Sequence, residues 1–213
     1  MNGIFNKIEK TGIIPVIKLD NPDDILPLSE ALLKGGINVA EITFRSSAAE
    51  SAIKQLKSIN NEMIIGAGTV LTTENADRAI SAGAEFIVTP GFNPRIVDYC
   101  IQNGFPIAPG ISIPSEIEQA LEMGLDVVKF FPAEQSGGLA KIKSMSAAYC
   151  DIMFIPTGGI SPDNLASYIS FNKVLACGGT YMVKESLIKE KQWDIITELS
   201  RMSIDIVNNT RNS

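Results

Sequence analysis

The sequence predicts an α/β protein: a single (β/α)8 barrel of the TIM type with an extra helix at its N-terminus. Eight short apolar runs start roughly every 20 to 26 residues, and helix-forming segments separate them. The runs are 13–19, 39–44, 63–66, 86–89, 106–109, 127–131, 152–157 and 174–177. Strictly alternating strands and helices form either a closed barrel or an open, doubly wound sheet. A dinucleotide-binding open sheet calls for an early Gly-x-Gly-x-x-Gly, and residues 66–68 lack the third glycine. The barrel is therefore favoured.

The segments between the runs carry the signals of helix ends. Asn21, Asn93 and Ser161 each precede a proline, which is typical of a capped helix start. Ser115 and Glu118 have the spacing of a capping box. Glycines close the helices at positions 35–36, 83, 104 and 124. The extra helix is predicted over 4–10 and a last helix over 193–207, followed by a frayed tail at 208–213. No linker or low-complexity stretch interrupts this pattern, so residues 1–213 are predicted to form one domain.

The composition excludes several classes of function. Eighteen basic and 24 acidic residues give a net charge of −6, which offers no electrostatic support for nucleic-acid binding. No apolar run is long enough to span a membrane, and residues 1–7 do not resemble a signal peptide, so we expect a cytoplasmic protein. The absence of histidine removes Ser-His-Asp triads and histidine-ligated zinc. Three widely spaced cysteines predict packing residues or free thiols, and we expect no metal site.

The second apolar run contains an alternation of polar and apolar side chains. Glu41, Thr43 and Arg45 share one face of the strand, while the residues between them are apolar. In a barrel the apolar set packs on the helices, so the polar set points into the interior. Buried carboxylate and guanidinium groups there need a partner or a function. A structural Glu41–Arg45 ion pair is the alternative interpretation.

Lys129 lies within the sixth run among apolar neighbours. Burial disfavours the ammonium form of a lysine, and a neutral amine is the nucleophile of Schiff-base enzymes. The alternative is a lysine that extends to the rim and remains protonated. A carboxylate at position 41 on the same interior favours catalysis, because an imine catalyst needs a proton shuttle and the chain has no histidine.

Two glycine turns predict an anion site. Thr157, Gly158 and Gly159 follow the seventh run, and Gly178, Gly179 and Thr180 follow the eighth. Loops at these positions are the usual phosphate site of such barrels, and glycines allow backbone N–H groups to approach an anion. Thr69 and Pro90, at the ends of the third and fourth runs, are further candidates for substrate binding at the ends of the strands. A plain turn residue is the alternative for Thr69.

These residues together resemble the class I aldolases that cleave 2-keto-3-deoxy-6-phosphogluconate (KDPG) or 4-hydroxy-2-oxoglutarate (KHG). The matching segments are 41–45, 66–70, 128–134, 156–160 and 178–180. The resemblance implies a Schiff-base role for Lys129, a general acid/base role for Glu41, carboxylate contacts for Arg45 and Thr69, and an apolar wall at Phe131. It places the phosphate or distal end of the substrate at Thr157, Gly158, Gly159, Gly178 and Gly179. It further implies a homotrimer and no cofactor.

Two positions qualify the resemblance. Members of the family often have Ser-Trp where this chain has Thr180-Tyr181, which affects the phosphate site. Lys18, at the end of the first run, adds positive charge there. Two other functions stay open: a different phosphate-binding barrel enzyme (epimerase, isomerase or synthase) and a non-catalytic sugar-phosphate-binding barrel. The sequence also leaves open the choice among KDPG, its C4 epimer and KHG.

Overall fold

Parallel strands alternate with helices along the chain of the computed structural model, which describes residues 3–59 and 62–212. The strands in these ranges are β1 (Ile13–Ile17), β2 (Val39–Thr43), β3 (Ile64–Gly68), β4 (Phe86–Val88), β5 (Ile107–Ala108), β6 (Gly110–Ile111), β7 (Val127–Phe130), β8 (Met153–Pro156) and β9 (Cys177–Gly179). The helices are α1 (Gly3–Thr11), α2 (Ile25–Lys34), α3 (Ala49–Ser58), α4 (Thr73–Ala82), α5 (Pro94–Gln102), α6 (Pro114–Glu122), α7 (Gly138–Ser146), α8 (Pro162–Ile169), α9 (Glu185–Lys189) and α10 (Trp193–Arg211). Short 3-10 turns occupy Pro22–Asp24, Glu134–Ser136 and Tyr181–Val183.

The prediction of a closed eight-stranded TIM barrel is wrong. Within the described residues the strands form two parallel sheets: a curled sheet in the order β5-β4-β3-β2-β1-β9, and a three-stranded sheet in the order β6-β7-β8. Continuous ladders are absent at two places, between β5 and β6 and between β8 and β9. The extra N-terminal helix is present as α1.

Proline chemistry explains the first break. The sequence predicts that the fifth strand ends at Pro109, but a further strand, β6, follows this proline, which has no N–H to donate to a ladder. The Pro109 carbonyl accepts from the N–H of Lys129 at 2.9 Å, while the N–H of Gly110 donates to the Thr89 hydroxyl at 3.2 Å. The chain therefore leaves the six-stranded sheet at β5 and joins β7 at β6. At the second break, the described residues show two isolated bridges in place of a ladder: Phe154 of β8 with Val174, which precedes β9, and Thr157, which follows β8, with Gly178 of β9.

The N-terminal helix covers one end of the strands. Phe5 and Ile8 on α1 are buried, and the Phe5 ring meets the Phe86 ring edge-on at 6.3 Å. Gly66 lies beside this contact, and a Cβ there would be 2.1 Å from the Phe86 ring. Burying an aromatic or isoleucine side chain contributes about 1.5–3 kcal/mol. The amino ends of the strands are thus closed, and their carboxyl ends are left for a site.

Two local predictions about helix ends are also corrected. Residues 208–211, predicted to fray, continue α10, because Arg211 donates to the carbonyls of Leu175 at 3.0 Å and Lys10 at 3.3 Å. Residue 213 lies outside the described residues. The predicted capping box at Ser115 is wrong, because α6 begins at Pro114. The carboxylate of Glu116 instead accepts from the N–H groups of Ser112 and Ile113, which precede the helix. No helix in the described ranges has the length and apolar character needed to cross a membrane.

Candidate active site

Lys129 and Glu41 meet in the interior, although they belong to different sheets. Lys129 Nζ donates to Glu41 Oε1 at 3.1 Å. Both side chains are almost fully buried, with 6% of the lysine and 2% of the glutamate exposed. A donor and a carboxylate at this distance can exchange a proton directly. The pairing unites the two strongest signals of the sequence, the polar face of β2 and the lysine in an apolar strand.

The glycine at the end of β3 makes room for the carboxylate. Gly68 pairs with Thr43 in the β2–β3 ladder. A Cβ at position 68 would lie 2.1 Å from Glu41 Oε1 and 2.7 Å from its Cδ. Real atoms do not approach so closely, so only glycine permits the Glu41 position that reaches Lys129.

Arg45 lies two residues beyond β2 and is positioned by Thr43, the last residue of that strand. Arg45 Nε donates to Thr43 Oγ1 at 3.1 Å, and that hydroxyl donates to the carbonyl of Ile17 at 2.8 Å. Glu41, in contrast, is paired with Lys129. The alternative of a structural Glu41–Arg45 ion pair is therefore not what the described residues show. The terminal guanidinium nitrogens of Arg45 remain available for a ligand with two acceptor oxygens.

A cavity of about 210 Å³ lies next to Lys129 Nζ. It is lined by ten of the predicted site residues: Arg45, Thr69, Pro90, Lys129, Phe131, Thr157, Gly158, Gly159, Gly178 and Thr180. The Phe131 ring centre lies 5.4 Å from Lys129 Nζ, so the amine has an aromatic face beside it. The walls combine apolar surface with a few polar groups, as is typical of small-molecule sites.

The glycine turn after β8 presents unused donors to this cavity. Gly158 and Gly159 have φ angles of 102° and 80°, which only glycine adopts readily. Within the described residues, neither N–H donates to a backbone carbonyl. The Thr157 hydroxyl is buried with no hydrogen-bond partner in the described part of the chain, and a Cβ on Gly178 would lie 2.2 Å from it. Helix α8 begins three residues after Gly159. Free N–H groups, a free hydroxyl and a nearby helix N-terminus suit an anion.

Three predicted residues do not line the cavity: Glu41, which is paired with Lys129, and Lys18 and Gly179. Lys18 borders an adjoining cavity of about 300 Å³ that shares Arg45 and Thr180 with the first. Its ammonium contacts Glu185 Oε2 at 2.7 Å and Asp20 at 3.5 Å. The hydrogen bond to Glu185 raises the pKa of Lys18, so this cation already has its partners. Gly179 is internal to β9, beneath the Tyr181 ring.

Sequence reasoning assigned no role to Thr43, Val16 or Ile160. Val16 and Ile160 are cavity walls, and an apolar residue at a strand end gives no signal that separates a wall from core. The role of Thr43 in holding Arg45 could have been predicted, because the alternation already placed Thr43 on the same inward face as Glu41 and Arg45. Thr69 lines the cavity with a φ of 54°, a conformation that few non-glycine residues adopt.

The cysteines lie elsewhere. Cys100 and Cys177 are buried and Cys150 is exposed, all as free thiols. Burial raises the pKa of Cys100 to about 11 and raises that of Cys177 as well. Both buried thiols are thus protonated near neutral pH and behave as packing residues. The described residues hold no cluster of three or more metal-ligating side chains.

Comparison with known proteins agrees with this geometry. The family model described as "KDPG and KHG aldolase" matches residues 4–199. The chain belongs to the KDPG and KHG aldolase family. It is 50% identical over 204 residues to the 2-dehydro-3-deoxy-phosphogluconate aldolase of Haemophilus influenzae, covering 96% of each protein.

Solved structures of the family are similar along almost their whole length. The KDPG aldolase of Legionella pneumophila, captured with pyruvate as a covalent carbinolamine intermediate, has a TM-score of 0.90 and 36% identity, with 94% of this chain and 97% of that one covered. The aldolase of Zymomonas mobilis, crystallised with 3-phosphoglycerate, has a TM-score of 0.87 and 33% identity, with 93% and 94% covered. One of these relatives thus holds a pyruvyl group, and the other holds a phosphorylated three-carbon acid.

Proposed function

We propose that this protein is a class I aldolase that cleaves 2-keto-3-deoxy-6-phosphogluconate to pyruvate and glyceraldehyde 3-phosphate. The observation that carries the proposal is the buried contact between Lys129 Nζ and Glu41 Oε1 at 3.1 Å. It joins a nucleophile to a proton shuttle, in a chain whose relative forms a pyruvate carbinolamine. An epimerase, isomerase, synthase or binding protein would use the glycine turns but would leave this pair without a function.

The pair performs the first half of the reaction. Glu41 accepts a proton from Lys129, and the free amine attacks C2 of the keto acid to give a carbinolamine. Glu41 then returns the proton to the carbinolamine hydroxyl, which departs as water and leaves a protonated imine. The imine withdraws electrons from the C3–C4 bond, so this scheme requires neither a metal nor an organic cofactor.

Cleavage and release follow from the same groups. A base removes the proton of the C4 hydroxyl, and the C3–C4 bond breaks. The aldehyde departs, and the electron pair of the broken bond forms the C2–C3 double bond of the enamine. Protonation at C3 restores the imine, and water hydrolyses it to pyruvate and free Lys129. Glu41 lies beside the nitrogen throughout, so one carboxylate serves as acid and base in turn.

The other cavity residues orient the substrate. We assign the substrate carboxylate to Arg45, whose Nε is held by Thr43, and to the hydroxyl of Thr69. Phe131 forms the apolar wall beside the imine, and Pro90 limits the cavity at the end of β4. Excluding water on this side protects the imine from early hydrolysis.

The distal phosphate is assigned to the two glycine turns. Among the described residues, Thr157, Gly158 and Gly159 offer a free hydroxyl and free N–H groups, and Gly178, which is bridged to Thr157, lines the same cavity with Thr180. The predicted contributions of Lys18 and Gly179 stay predictions. Lys18 would act from the adjoining cavity, and only by sharing its ammonium with Glu185.

Two further features belong to this proposal. KHG is a second substrate, because the family model covers aldolases for both compounds and the pyruvyl-forming half of the two reactions is the same. The protein is also proposed to be a homotrimer, as the resemblance implies. Light scattering of the purified chain should give three times the mass of the monomer, and a monomeric mass would contradict that assignment.

The activity test is pyruvate release, measured with lactate dehydrogenase and NADH. KDPG should be the better substrate by kcat/KM, with slower turnover of KHG and of the C4 epimer of KDPG. Activity should persist in EDTA. Release of no pyruvate from any of the three, by protein whose circular dichroism shows it folded, would contradict the proposal.

A further inference from the structure

Glu134 has no place in the mechanism, although it packs against the Gly158–Gly159 turn that lines the catalytic cavity. It lies five residues after Lys129, at the start of the turn Glu134–Ser136. A Cβ on Gly159 would lie 2.5 Å from Glu134 Cγ, so the glutamate stem passes directly under the glycine turn. A carboxylate near a site for a phosphate repels that ligand. Its presence there calls for a structural reason.

The backbone joins the Glu134 segment to the glycine turn. The N–H of Ala133 donates to the carbonyl of Thr157 at 2.8 Å, and the N–H of Glu134 donates to the carbonyl of Gly158 at 3.1 Å. These two bonds continue the contact between β7 and β8 beyond the strand ends. Within the described residues, the Gly158 and Gly159 N–H groups donate to no backbone carbonyl and can serve a ligand.

The side chain of Glu134 joins the turn to helix α8. The Tyr168 hydroxyl donates to Glu134 Oε1 in a short hydrogen bond. Tyr168 is only 1% exposed, and burial together with the Glu134 carboxylate raises its pKa, so the phenol stays a proton donor. Tyr168 belongs to the helix that follows the glycine turn. Glu134 thus contacts the turn directly, through its backbone bond to Gly158, and indirectly, through its side-chain bond to Tyr168 on the following helix.

We propose that Glu134 and Tyr168 are positioning residues that fix the Gly158–Gly159 turn for the phosphorylated end of the substrate. Neither residue contacts substrate in this assignment. Their bond sets where the two free N–H groups point, and the charge of Glu134 is neutralised in part by the phenol. The inference rests on the proposed function, because it assigns the phosphate to that turn.

The test separates the two ends of the substrate. Tyr168→Phe removes only the hydroxyl, and Glu134→Gln keeps an acceptor for it. We expect Tyr168→Phe to raise KM for KDPG about tenfold with kcat within twofold of wild type, and Glu134→Gln to raise it less than threefold. The exchange of pyruvate methyl protons in D2O, followed by NMR, needs only the Lys129 end and should stay unchanged. Tyr149→Phe is the matched control, since its hydroxyl bonds Glu118 at 2.8 Å and it does not line the cavity.

An unchanged KM for KDPG in Tyr168→Phe would overturn the proposal, and so would a parallel loss of pyruvate exchange, which would indicate general damage. Calorimetric binding of 3-phosphoglycerate gives a second reading that requires no turnover. Weaker binding by Tyr168→Phe than by wild type supports the proposal, and equal binding, or none by wild type, overturns it. Wild-type protein that binds 3-phosphoglycerate but exchanges no pyruvate protons would instead contradict the aldolase assignment alone.

Discussion

Adding one methyl group at Gly68 should disable the catalytic pair although neither Lys129 nor Glu41 is substituted. The alanine Cβ would lie 2.1 Å from Glu41 Oε1, whereas ordinary contacts between such atoms begin near 3.4 Å. The carboxylate must therefore move by about 1 Å, and a shift of that size away from Lys129 breaks a 3.1 Å hydrogen bond. Misplacement of a reacting group by about 1 Å costs about 100-fold in rate. We expect kcat of Gly68→Ala for KDPG to fall by about that factor.

The assay needs a control for stability, because crowding a buried site costs about 1–3 kcal/mol by itself. Gly91→Ala is matched: this glycine follows the neighbouring strand β4, and a Cβ there meets no atom within 4 Å. Melting temperature and kcat should both stay near wild type in Gly91→Ala. Gly68→Ala should be inactive at a temperature where circular dichroism shows it folded. If folded Gly68→Ala kept kcat within twofold of wild type, the close contact between Gly68 and Glu41 would have no part in catalysis.

Four other perturbations test the assignments one group at a time. Lys129→Ala should abolish pyruvate release while circular dichroism stays native, and full activity would refute the nucleophile. Glu41→Gln should lower kcat about 10²–10⁴-fold with a milder loss of pyruvate binding, and an unchanged kcat would remove Glu41 from proton transfer. Arg45→Lys should raise KM, because a lysine cannot form the two-pronged carboxylate contact, and an unchanged KM would make Arg45 structural. A disulfide reagent at pH 8 should titrate one thiol, Cys150, in native protein and three after unfolding. The other two thiols are buried, and burial raises the pKa of Cys100 to about 11. Rapid reaction of a second thiol in native protein would contradict this burial.

The features that the sequence predicts well are local. Alternation along β2 requires only that a strand direct successive side chains to opposite faces, so the inward placement of Glu41 and Thr43 follows from spacing alone. Arg45, just beyond the strand, keeps that face through its hydrogen bond to Thr43. Lys129 is recognisable because a charged group among apolar neighbours must find a partner. The glycine turns are equally local, since a positive φ at Gly158 requires a residue without a side chain.

The features that the sequence does not predict depend on contacts between distant parts of the chain. The sheet does not close at Pro109, which has no N–H to donate. This matters because the neighbouring backbone groups find other partners: the Gly110 N–H donates to the Thr89 hydroxyl, and the Pro109 carbonyl accepts from the Lys129 N–H. Lys18 faces Glu185, 167 positions away, and no local pattern indicates that pairing. The helical C-terminus likewise depends on the carbonyl of Leu175, which Arg211 reaches across the fold.

The central claim is that Lys129 forms an imine with the keto acid, and trapping tests it most directly. The protein is incubated with pyruvate, reduced with sodium borohydride, digested and analysed by peptide mass spectrometry. The account predicts a reduced pyruvyl adduct on Lys129 and on no other lysine, and none when pyruvate is omitted. Folded protein that yields no adduct, or an adduct on a different lysine, would contradict it.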